Sequence, residues 1–93
     1  MLDFKGHRRT ISGIGMRRTD GGGFPSVANV LCWDGQHSSW VHVAHITPQK
    51  PAAAWQVYQT VIPKVQTTAL MVHMLSEGKT KYIELGQIIV FEE

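Results

Sequence analysis

The sequence predicts an α+β protein: a small, strongly curled antiparallel sheet in the order β-β-β-α-β-β, with one helix packed on a face. Three observations point there. Short runs rich in Val, Ile, Thr and Trp are cut apart by Gly, Pro and Asp clusters, which is how strands are punctuated. Only "AAAWQVYQTVI" places large apolar residues (Trp55, Tyr58, Ile62) three and four apart, the stripe of an amphipathic helix. Finally, 93 residues are enough for a single domain, 1–93, with one modest core.

The elements follow in chain order. "RTISGIGMRR", Arg9 to Arg18, alternates loosely and reads as the first strand. Gly13 and Gly15 thin one of its faces beside Ile11, which marks either a bulge or a close backbone approach. "TDGGGFP" reads as a loop, with Pro25 stopping the strand. "SVANVLCW" and "WVHVAHI" are the clearest strand pair. If an even number of residues connects Trp33 to Trp40, these two share a face with Leu31, His42, Asn29 and Ala44. Ala28, Val30, Cys32, Val41, Val43 and His45 then lie on the other face, and a bulge would break the pattern.

Beyond "TPQKP" the helix is expected to begin near Pro51, where a missing N–H is harmless, and to stop at Pro63. "KVQTTALMVHML" is apolar all round, and its Thr67, Thr68 and Val72 favour an extended chain. "SEGKT" reads as a turn into a return strand, "KYIEL", and "IIVFEE" as a final strand beyond a Gly86–Gln87 turn.

Composition limits the function classes. At 43% hydrophobic and 17% charged, the chain is too apolar for disorder and sparing in charge for its size, which suits a surface covered by a partner or a second copy. The net charge of +2 is unevenly spread, with Lys5, Arg8, Arg9, Arg17 and Arg18 all within the first eighteen positions. One cysteine, Cys32, rules out an internal disulfide and fits a reducing compartment, so a cytoplasmic location is expected. No apolar run approaches the roughly 20 residues of a membrane helix, and "MLDFKGHRR" has no secretory apolar segment.

Each motif that could carry chemistry has a plainer reading. His42 and His45, three apart, face opposite sides of a regular strand and so cannot share an ion unless the strand is bulged. No Cys pair and no HExxH is present, and no metal or cofactor is expected. Asp34, His37, Ser38 and Ser39 supply the letters of a hydrolytic triad, but three members on one loop seldom meet its geometry. Cys32 lies in an apolar run and reads as inert, so no catalytic residue is assigned. The three glycines lack the Lys-Ser/Thr of a phosphate-binding loop.

Two features remain. The arginines at the two ends of the first strand would stand about 25–30 Å apart at roughly 3.3 Å per residue, able to meet an acidic or phosphate surface. Trp33 and Trp40, with His37 between them, form either a hairpin clip buried under the helix or an aromatic anchor for a partner. The expected site is therefore a partner-binding one: Arg8, Arg9, Arg17, Arg18, Trp33, His37 and Trp40. The chain reads as a small non-enzymatic binding protein. It would regulate or inhibit by masking the surface of another protein, in the manner of many proteins of phages and other mobile elements. Two alternatives stand beside this: a nucleic-acid-binding protein using the basic first strand, and a self-assembling structural subunit forming a homo-oligomer.

Overall fold

The computed structural model describes residues 2–18, 24–49, 51–53, 56–75 and 85–92. These form seven strands: β1 (Leu2–Asp3), β2 (Arg9–Arg18), β3 (Val27–Asp34), β4 (Ser39–Ile46), β5 (Val57–Thr67), β6 (Ala69–Leu75) and β7 (Leu85–Glu92). Two antiparallel sheets result, a four-stranded one in the order β1-β6-β3-β4 and a three-stranded one in the order β5-β2-β7. The core lies between them. Ile11, Ile14 and Met16 of β2 and Ile62 of β5 meet Ala28 and Val30 of β3, Ile46 of β4 and Leu70 of β6.

This corrects the expected class. The protein is all-β, with no helix among the described residues, and neither sheet is strongly curled. The segment expected to be helical runs instead as the strand β5, from Val57. Its Tyr58, Thr60 and Ile62 point inward by strand alternation, while Gln59 and Val61 are exposed. The β-branched content of "VYQTVI" and the chance to pair with β2 outweigh the helical spacing. Trp55 and Ala54, which completed that stripe, lie outside the described residues.

Pro63 does not end the element. It sits where Ile62, Pro63 and Lys64 oppose only Ser12, between the pairs Gly13↔Val61 and Ile11↔Val65. A bulge on an edge strand is a position where a missing N–H costs no ladder bond. The extended reading of residues 64–75 holds on both sides of Thr68, where the chain leaves β5 for β6 and changes sheet. The Gly86–Gln87 turn is also overturned, since β7 runs through both residues. "SEGKT", most of "KYIEL" and the three glycines lie outside the described residues.

The glycines of β2 serve both purposes that the sequence suggested. A register shift between Ile11 and Gly13 breaks the alternation, so that Ile11, Ile14 and Met16 can all be buried. On the outer side, the Phe91 ring of β7 lies across the gap. A Cβ on Gly13 would stand 3.2 Å from Phe91 Cδ2 and 3.0 Å from the Thr60 carbonyl oxygen, and one on Gly15 3.2 Å from Phe91 Cε2.

Two corners place the loops that matter below. Between β1 and β2, Lys5 and Gly6 both take positive φ, and the His7 N–H donates to the Phe4 carbonyl at 3.1 Å, the arrangement of a type I′ turn. Between β5 and β6, Thr67 is 2% exposed, and its hydroxyl lies 3.0 Å from both the Trp33 and Ala69 carbonyl oxygens. That hydroxyl ties the change of sheet to β3.

Candidate functional site

The β3–β4 hairpin is closed by its own side chains. Asp34 and Ser39 form the last pair, leaving Gly35–Ser38 as the tip. Asp34 Oδ1 accepts from the N–H of Gln36 at 3.0 Å and of His37 at 3.3 Å, while Oδ2 lies 2.7 Å from His37 Nδ1. The bond to His37, followed by the two backbone donors, holds the Asp34 carboxyl below the ordinary aspartate value. Among the described residues no hydroxyl bonds to His37, so the letters of a triad form a turn brace here. Burial, with a smaller push from the Asp34 charge, raises the Cys32 thiol and makes it a poorer nucleophile at neutral pH.

The tryptophans are directly opposed, Trp33↔Trp40, with ring centroids 5.3 Å apart and planes at 67°. Such an edge-to-face pair adds about 0.5–1.5 kcal/mol beyond its area. Both rings lie on the side of the sheet away from the core, and each is only partly buried. No described helix covers them; among the described residues the hairpin is covered on the opposite, inner face, by the second sheet. The same outer face continues through Leu31, His42 and Met71, then Asn29, His45 and His73, then Val27 and Leu75. Across β6, β3 and β4 these rows contain no Lys, Arg, Asp or Glu.

His45 is on this face rather than the inner one, and Ala44 is opposite Val30 rather than beside Asn29. The cause is a bulge: Leu31 pairs with His42 and Val30 with Ala44, leaving Val43 unopposed. His42 Nε2 and His45 Nδ1 consequently approach the same atom, Asn29 Oδ1, at 3.1 and 2.9 Å. A strand bulge leaves little mark in a sequence, which is why this convergence stood there only as a condition.

Beside the hairpin, at one end of the two sheets, lies a cavity of about 610 Å³. Arg8 from the β1–β2 connection, Trp33, Asp34 and Gln36 from the hairpin, and Gln66 and Thr68 from the β5–β6 corner all line it, with Cys32 and Thr67. Its volume is in the range of small-ligand or side-chain-accepting clefts. Arg8 is exposed, and among the described residues it has no ion-pair partner.

The seven expected site residues therefore separate. Arg8, Trp33, His37 and Trp40 gather at the cavity end and on the hairpin above it. Arg9 is committed elsewhere, with its Nη1 2.8 Å from Glu92 Oε1 and its guanidinium 5.7 Å from the Phe4 ring centroid. Arg17 and Arg18 are at the far end of β2, and the Arg18 side chain lies outside the described part. The sequence missed Gln36, Gln66 and Thr68, which meet only because the chain changes sheet at Thr68.

No protein-family model, curated protein or solved structure matches this chain. No described helix is long and apolar enough to cross a membrane.

Proposed function

We propose that this protein is a small binding module that acts by occupying the surface of another protein, as a regulator or inhibitor, through the cavity end of its two sheets. The observation that carries this reading is the cavity itself. An arginine with no described ion-pair partner stands in a cleft whose other charged lining group, Asp34, is taken up by His37 and two backbone N–H groups; Gln36, Gln66, Thr67, Thr68, Cys32 and Val41 are among the rest of the lining, beneath the braced hairpin tip. Such a cleft suits one anchoring acidic side chain of a partner, with Arg8 as the charged contact and the Trp33–Trp40 pair as apolar ground beside it. Nothing in that contact requires a bond to be made or broken.

The nucleic-acid reading has less support. Glu92 offsets Arg9, and β2 separates Arg8, just before its first residue, from Arg17 near its last, so no continuous basic track forms among the described residues. The self-assembling reading draws on the uncharged outer face of the four-stranded sheet.

Affinity capture from the source cells, with wild-type protein and an Arg8→Glu variant side by side, tests the proposal. Arg8 is exposed and makes no described ion pair, so the variant should melt within about 2–4 °C of wild type, the range of an ordinary surface substitution in a domain of this size. It should lose the captured partner at least about tenfold, the cost of setting a carboxylate against an acidic contact. Equal recovery by both proteins would remove Arg8 and the cavity from the site.

A further inference from the structure

We infer that His42 and His45, with the side-chain oxygen of Asn29 between them, form a chelating site for one borderline divalent cation such as Zn²⁺, Cu²⁺ or Ni²⁺. The site is separate from the cavity, and the inference does not depend on the proposed function. Its origin is the β4 bulge. Without the unopposed Val43, residues three apart would point to opposite sides of the sheet. With it, His42 Nε2 and His45 Nδ1 both aim at Asn29 Oδ1, 3.1 and 2.9 Å away. Two imidazole nitrogens directed at one point are the first requirement of a chelate.

The hydrogen bonding shows how the site would open. A carbonyl oxygen only accepts, so the nitrogen that each ring turns toward Asn29 carries the proton. In a neutral imidazole that proton can move to the other ring nitrogen without change of charge, leaving a lone pair where the N–H had been. A cation at roughly 2.0–2.1 Å from each nitrogen then replaces the two hydrogen bonds, with Asn29 Oδ1 as a third donor. Both rings are exposed, so they can close on the ion, and water can fill the remaining positions.

Imidazole donors select Zn²⁺, Cu²⁺ and Ni²⁺ over Mg²⁺ and Ca²⁺, which prefer oxygen. Among the described residues no three of His, Cys, Asp or Glu gather as a metal-holding group, so the chelate consists of two histidines and an amide oxygen. His73 faces Asn29 from β6 but is not part of it.

Calorimetric titration of the folded chain with zinc sulfate and copper sulfate tests the inference, together with electron paramagnetic resonance of the copper form. One ion per chain is expected, with coupling to two nitrogens. His42→Gln and His45→Gln should each weaken uptake by at least about tenfold, and His73→Gln by less than about threefold. Because a variant could be disturbed for other reasons, ring ¹⁵N shifts of the wild-type protein give an independent readout, with His42 Nε2 and His45 Nδ1 moving together on adding zinc. Absence of uptake, several weak ions per chain, undiminished uptake in either Gln variant, or ring shifts centred on His7, His37 or His73 would each overturn the site.

Discussion

Asp34 shows how much one short side chain can organise. Its two oxygens brace the hairpin tip through two backbone N–H groups and the His37 ring, and the carboxyl is depressed as a result. A carboxyl with a lower value in the folded than in the unfolded chain contributes stability above its unfolded value of about 3.9 and loses it as the pH falls through the folded value. The acid-range shift of the Gln36 and His37 amide signals should therefore have its midpoint below the ordinary aspartate value. Asp34→Asn should abolish that acid limb, as followed by NMR across pH 2–6. A wild-type midpoint above the ordinary aspartate value would contradict the brace. Part of the hairpin was legible at the residue scale: an even count of residues between Trp33 and Trp40 put both on one face, and a clip across the hairpin was one of the two readings this allowed. The bond from Asp34 to His37 could not be read in advance, because it depends on how the tip is coiled.

At the scale of elements, the difference between β5 and the helix expected there has a physical cause. "VYQTVI" satisfies a spacing of three and four and also a spacing of two, and a short window cannot choose between them. What decides is the partner. β2, thinned by Gly13 and Gly15, accepts β5 on one side and β7 on the other. The bulges at Ile11/Gly13 and at Val43 had no signature beyond one glycine, yet they decide which side chains reach the core and which histidines meet. The Phe91 ring across the glycines makes β2 intolerant of even one added methyl. Gly13→Ala should destabilise the fold by about 1–2 kcal/mol, the overpacking cost less the small gain from stiffening the unfolded chain. Denaturant melts measure this. Phe91→Ala in the same background should recover part of the loss, because it removes the ring contact and leaves the Thr60 carbonyl oxygen at 3.0 Å and the residue-91 Cβ at 3.4 Å.

For the whole molecule, the layer expected over the tryptophan face of the β3–β4 hairpin was a helix; the structure instead places a second sheet on the opposite face. Three of the described residues lining the cavity, Gln36, Gln66 and Thr68, come from segments that nothing in the sequence links, so the cavity was not foreseeable. The pairing of β2 with β7 has a further consequence. The Arg9–Glu92 contact spans 83 positions, and every β2–β7 pair is similarly remote. On the ribosome, β2 would emerge long before β7 and wait with one flank open. Refolding from denaturant should accordingly be slow, with relaxation times of about milliseconds to seconds, as in other sheet proteins built from distant pairings. Stopped-flow tryptophan fluorescence would detect it, and completion within microseconds would mean that the three-stranded sheet assembles by some nearer route. During that wait, the bare flank of β2 is where the nascent chain is most open to capture by another strand.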